Sequence, residues 1–264
     1  MKSHQLSAVA LILCAGTASA QGWSGAIGLG MSAAPRYVGG DEYRTRAIPY
    51  VQLEYANKYV AGVVPSGAGF GIGTYLVRNS LFSVEVDAAY GESREERYGS
   101  ALAGMGDRSA EILFGTSTSI THGMVAATTN VVTSTNAGAY GTAELSARRP
   151  VASRWMIGMS GGATFATAEH MRSQFGITSS QATRRQALID AADPRLSPED
   201  GTAYAPAAGL KQAHAGATLM FAVSERRSVI MFSQFTRLSA EAAASTLVRD
   251  RDATNVGLMM VFGL

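Results

Sequence analysis

The chain has 264 residues, 47% of them hydrophobic, with 29 glycines, one cysteine and a formal net charge of +2. Near-neutral charge without a Lys/Arg block excludes a nucleic-acid-binding surface, and one cysteine excludes a disulfide framework. No apolar run beyond the N-terminus approaches the ~20 residues of a transmembrane helix, so a bilayer crossing would have to use strands.

Residues 1–20 begin with Lys2, continue through an apolar run from Leu6 to Gly16 and end in Ala18-Ser19-Ala20. This order predicts a secretory signal peptide, cleaved after Ala20, and one domain over residues 21–264. Leu13 stands where a lipid-attachment site would need a small residue before Cys14, and cleavage removes that thiol with the leader.

Residues 23–32 place Trp23, Gly25, Ile27, Leu29 and Met31 on one face, with small residues between them. That is the period of a strand. Residues 33–46 read as a loop through Pro35, Gly39-Gly40 and Asp41-Glu42. Further strands are predicted at about 48–55, 59–64 and 70–77, with a tight turn at Asn57-Lys58 and a loop beginning at Pro65-Ser66-Gly67. Pro49 is tolerable near a strand start or on an edge. The clearest strand is 82–90, where Phe82, Val84, Val86, Ala88 and Tyr90 oppose Ser83, Glu85 and Asp87.

A polar loop follows at 91–108. Strands at about 109–120, 124–132, 138–147 and 154–165 are separated by turns at His122 and at Arg148-Arg149-Pro150, and by residues 133–136. Residues 166–205, roughly 40 without alternation, are too many for an ordinary connection. They predict a long external loop of functional use, with a short helix near 181–192. Strands at about 206–223 and 229–238 and a loop at 239–253 lead to the last strand. There Val256, Leu258, Met260, Phe262 and Leu264 share one face, with no charge after Asp252.

These elements predict an all-β fold, a transmembrane antiparallel up-and-down β-barrel of about twelve strands, the even count of bacterial single-chain barrels. Short turns alternate with longer connections, as periplasmic turns alternate with external loops, and both mature termini then lie on the periplasmic side. The expected location is the outer membrane of a Gram-negative bacterium, with outer-membrane lipid as the surrounding partner.

From Pro35-Arg36-Tyr37-Val38-Gly39 onward the chain resembles the MltA-interacting protein/OmpV family of outer-membrane proteins. The resemblance continues at Gln174-Phe175-Gly176-Ile177-Thr178-Ser179-Ser180-Gln181-Ala182, Ala208-Gly209-Leu210 and Phe235-Thr236-Arg237-Leu238-Ser239. The end at Phe262-Gly263-Leu264 lacks the terminal aromatic common in such barrels, and Ala243-Ala244-Ser245-Thr246 replaces a usual Ser-Pro. The resemblance implies an outer-membrane barrel that acts as a scaffold, with peptidoglycan-remodelling enzymes as the implied partners.

No residue constellation predicts catalysis, a cofactor or a metal. His122 lies in a turn, His170 lacks zinc-ligand spacing and no serine has a nucleophile-elbow context. Acidic residues on strand interiors should face the lumen, because charges toward lipid are penalised. Glu85, Asp87 and Glu144, with Arg237 as a basic partner, are the lumen-facing candidates. The sequence therefore supports a non-enzymatic scaffold or surface-interaction barrel, with a small-solute channel of acidic lumen as the alternative.

Overall fold

The computed structural model describes residues 22–91 and 93–264. The leader, its cleavage site and Cys14 lie outside the described residues. Twelve antiparallel strands form one closed barrel, each paired with its sequence neighbours and the first with the last. They are β1 (Trp23–Pro35), β2 (Tyr43–Tyr55), β3 (Tyr59–Val63), β4 (Phe70–Arg78), β5 (Phe82–Tyr90) and β6 (Ile112–His122). The second half comprises β7 (Val125–Ser134), β8 (Ala139–Ala152), β9 (Trp155–Ala166), β10 (Gly209–Ser224), β11 (Arg227–Leu238) and β12 (Asp252–Gly263).

Alternation sorts every strand into two rows. On β12, Val256, Leu258, Met260 and Phe262 are exposed, and on β1 so are Ile27, Leu29 and Met31. These outer residues pair across the seam as Ile27↔Phe262, Leu29↔Met260 and Met31↔Leu258. The inner row at the same seam is small: Gly28 faces Val261 and Gly30 faces Met259. A Cβ at Gly30 would lie 2.8 Å from the Met259 Cα, so a side chain there would push the closing strands apart.

Exposed aromatics ring the turn end, with Trp23 against Tyr55 at 5.0 Å and Trp155 against Phe221 at 4.7 Å. Such girdles mark the membrane interface of outer-membrane barrels. Leu258→Arg is expected to cost on the order of 2–4 kcal/mol of barrel stability, as a cation forced toward lipid near mid-strand. Met259→Ser, on the inner row, should cost less. Urea titration of the refolded protein checks this, and equal losses would mean that the rows are reversed.

The sequence placed several boundaries differently. The first loop shrinks to residues 36–42, because β1 and β2 stay paired up to Pro35↔Tyr43. Pro35 and Pro49 are accommodated within these strands. β8 runs through the expected turn at Arg148-Arg149-Pro150 and turns only at Ser153-Arg154. The long loop contains two helices rather than one, α1 (Ala168–Phe175) and α2 (Ser179–Asp190), and a third, α3 (Ala240–Ala243), follows β11. Thr167 caps α1, and Thr178 with Gln181 forms a capping box on α2.

Candidate functional site: the inner wall and its lid

The inner wall has two unlike halves. On β1, β2, β11 and β12 it is apolar toward the turn end, where Ala26, Tyr50, Ile230 and Val261 pack with Met220 and Met259, and polar toward the loop end, where Arg44, Arg46, Gln234 and Asn255 share the row. Opposite, from β6 to β10, the same row carries Ser117, Ser119, Thr128, Asn130, Thr142, Glu144, Ser146, Ser160, Thr164 and His214. Hydroxyls pair across strands there, Ser119 with Thr128 at 3.2 Å and Thr142 with Thr164 at 3.1 Å. Within this face His214 Nε2 and Glu144 Oε2 stand 2.9 Å apart, and the Glu144 side chain keeps 29% of its surface exposed. That exposure leaves Glu144 open to the lumen, whereas Ser117, Ser119 and Thr164 around it are buried.

The loop between β3 and β4 folds inward. Val64 and Ala68 bury against Ala89 and Val132, and Ser66 Oγ donates to Asp87 Oδ1 at 2.9 Å. Glu85 and Asp87 belong to the inner row of β5, 1% and 7% exposed. Among the described residues no guanidinium or ammonium group forms an ion pair with either, and the lumen cation Arg78 pairs with Glu54 at 2.7 Å. Arg237 does not join the acids. Its partner in the register is Asp252, their charged atoms are 3.6 Å apart, and Arg237 lies in the outer row with Phe235 and Met231. The inner row of β11 is Ser228, Ile230, Phe232, Gln234 and Thr236. At the loop end of a strand an outward charge meets headgroups, where its cost is small.

A packed lid covers the loop end. Tyr37, Ala101, Leu102, Met105, Ile177, Ala182 and Leu247 form one cluster, drawn from four separate connections. Met171 and Phe175 of α1 form a second with Ala166, Leu238 and Ala242. Between the loops sits a fully buried guanidinium. Arg185 of α2 donates to the carbonyls of Ala101 (2.7 Å), Ala103 (2.9 Å) and Asp200 (2.6 Å), and its Nη2 is 3.1 Å from Asp200 Oδ1. Arg249 reaches the other Asp200 oxygen at 2.7 Å. Burial pulls the Arg185 pKa down, and Asp200 opposes that shift. Arg94 and Arg108 donate to the carbonyls of Gln174 and Ser173, each at 3.1 Å, at the negative end of α1. Tyr37, whose hydroxyl donates to Leu247 O at 3.0 Å, has its pKa raised to about 12 by burial.

His170 sits where the lid meets the wall, its ring 4.8 Å from Tyr140 and its Nε2 3.2 Å from Lys211 Nζ. Burial, then Lys211 and Arg108, push its pKa down to about 3. A neutral imidazole is the form that can accept from the ammonium group. Sequence reasoning weighed His170 as a site but did not place Lys211 beside it, and assigned no partners to Arg185, Asp200 or Ser66. Their partners are distant in the chain, so no spacing could have announced them.

At the opposite end the exposed charges of the short turns are one-sided: Lys58, Arg149, Arg154, Arg226 and Arg227 against Glu225. No group of three or more metal-ligating side chains occurs among the described residues.

A profile of the family described as MltA-interacting protein MipA matches residues 27–263. The chain belongs to that family. No match was found among curated proteins. Among solved structures, Pseudomonas putida OprB shares 12% identity over 83% of this chain, at a TM-score of 0.39, and this chain spans 59% of its length. The anion-selective porin from Comamonas acidovorans shares 8% identity over 92% of this chain and 98% of its own, at a TM-score of 0.40. Salmonella typhi OmpF in complex with daunomycin shares 9% identity over 92% and 97%, at 0.41. At these scores the likeness carries no argument about the pore. This MipA-family chain is an outer-membrane β-barrel.

Proposed function

We propose that this MipA-family barrel is a lid-gated channel for small cationic solutes. The observation that carries the reading is the hydroxyl-rich inner face of β6–β10, with His214 and the partly exposed Glu144 in its middle. A barrel that served only as an anchor would gain more from an apolar filling, since each buried polar group needs a partner. Glu85 and Asp87 are buried beneath the inward loop, and Arg44 and Arg46 stand on the inner row of β2. Glu144 is the acid left exposed in the middle of the polar half, so the charge there is negative. A negative wall enriches cations, most strongly at low salt. The lid over the loop end sets the resting state to closed.

In planar bilayers the purified protein is expected to show brief, small, cation-preferring conductance steps. Glu144→Gln should lower the cation preference while leaving the folded band intact on unheated gels. Zero conductance both in the unmodified protein and in a variant with its lid opened would overturn the channel reading.

A second reading, as a scaffold, is supported by the basic turn end. Five exposed cations against Glu225 would suit an acidic face on a periplasmic partner, such as the peptidoglycan-remodelling enzymes that the family's name suggests. Charge reversal at Arg149 and Arg226 should then weaken co-purification of such an enzyme and leave conductance alone.

A further inference from the structure

β3 has five residues, whereas β2 has thirteen. Their pairing covers only Gln52↔Gly62 through Tyr55↔Tyr59, so β2 from Tyr43 to Val51 has no strand beside it on that side. The Val51 carbonyl is the atom that a Cβ on Gly62 would strike, so the Val51 backbone points into this gap. Backbone direction repeats every second residue in an antiparallel strand. Pro49, Ala47 and Thr45 therefore present their backbone to the same gap. Their levels on the barrel are those of Leu29, Met31 and Ala33. Leu29 and Met31 are 64% and 60% exposed on the lipid-facing row, so the gap opens within the bilayer, on the loop side.

A groove begins where the gap begins. It is about 470 Å³, lined by Gly62, Phe70, Gly71, Ile72, Ala88, Ala89, Tyr90 and Ile112. Its side walls are the outer-row residues Phe70, Ile72, Ala88, Tyr90 and Ile112, and Gly62, Gly71 and Ala89, whose side-chain positions belong to the inner row, contribute its floor.

We propose that the groove and the adjoining β2 edge hold one outer-leaflet glycolipid, an acyl chain in the groove and its polar linkage against the edge. The occupant follows from three features. The groove is continuous with the lipid-facing surface and is almost wholly apolar. Among the described residues no backbone group pairs with this stretch of edge, and bare N–H and C=O groups are strongly disfavoured in hydrocarbon unless something polar meets them. Pro49 removes one donor and makes the edge unfit for another strand. An ester or amide with a hydroxylated chain supplies both halves of what is needed, and lipopolysaccharide is the outer-leaflet lipid that carries such linkages. A plain hydrocarbon chain would leave the edge bare.

Native mass spectrometry of the detergent-released protein, with added lipopolysaccharide or phosphatidylethanolamine, tests this. The unmodified barrel should retain one glycolipid, and Ala88→Phe, which fills the groove from the outer row, should lower retention about tenfold. A compact unheated gel band confirms that the variant is folded. In nanodiscs, amides of residues 45–51 should be protected from exchange by the glycolipid and not by the phospholipid. Equal retention of both lipids, equal retention by Ala88→Phe, or no glycolipid-dependent protection would each overturn the proposal.

Discussion

Asp200→Ala is expected to cost the lid about 3–5 kcal/mol, because it strands a charge that has no route to water. Arg185 is fully buried and Asp200 supplies both a carbonyl and a carboxylate to it. The same carboxylate takes Arg249 and the Ser197 N–H, at 2.7 and 2.8 Å. One substitution thus releases α2, the 3₁₀ turn Pro198–Gly201 and the last loop together. Limited proteolysis of the folded protein should show cleavage within 193–205 rising about a hundredfold or more, with strand cleavage unchanged. Replacing both Arg185 and Asp200 by apolar residues should be milder than Asp200→Ala alone, since it removes the desolvated charge along with its partner. If the single substitution left proteolysis unchanged, the ion cluster would not be what holds the lid. For the channel reading, Asp200→Ala is also the variant that should lengthen open times.

Acid should loosen the same lid from a different side. His170 has its pKa depressed from 6.5 to about 3 in the folded state, so the unfolded or undocked loop binds the extra proton between those values. Stability is therefore intact above about pH 6.5 and falls as the pH drops, levelling out near pH 3, with a total effect on the order of a few kcal/mol. A protonated imidazole would face Lys211 across the 3.2 Å contact that the neutral ring now satisfies, with the charge of Arg108 adding to the repulsion. Hydrogen exchange of α1 measured from pH 7 to pH 4.5, corrected for intrinsic rates, should report increasing opening. His170→Gln, which can still accept from Lys211 but does not titrate, should flatten the profile. A profile unchanged by this substitution would assign the acid sensitivity elsewhere.

The strands could be read from the sequence because lipid on one side and a packed or wet interior on the other impose period two almost everywhere. β12, β1 and β5 show it without interruption, and there the outer rows are as expected. Where both rows are small, as in β7 and β8, the pattern was dilute and the boundaries drifted. β8 runs past Arg148-Arg149-Pro150 because a proline at the end of a hairpin costs little where its own strand bulges, between Pro150 and Ala152. Arg237 was misplaced for a related reason. Ser233 and Gln234 are both polar, so parity could not be taken from β11 alone, and pairing with Asp252 decides it. The lid was invisible as a unit. Its helices have local caps that a sequence can display, but Tyr37, Leu102, Ile177 and Leu247 come together only in the folded chain. Ser66 against Asp87 is equally non-local, joining an inward loop to a wall residue 21 positions away.

The seam between β1 and β12 governs how the molecule can be made. Ala26 and Gly263 are paired although roughly 240 residues separate them, and closing a chain of that length costs about 5 kcal/mol before any seam bond forms. No seam bond can therefore form early, and the eleven sequential hairpin pairings must precede it. Until closure, both terminal strands expose a full row of backbone donors and acceptors, flanked by Leu29, Met31, Leu258 and Met260. Such an open sheet is the species most prone to wrong pairing with another chain. The final step is a zippering of eight residue pairs over a glycine-softened inner row. In a cell this calls for a factor that shelters the two edges until they meet, and in a refolding tube it makes dilution and preformed bilayer decide the yield.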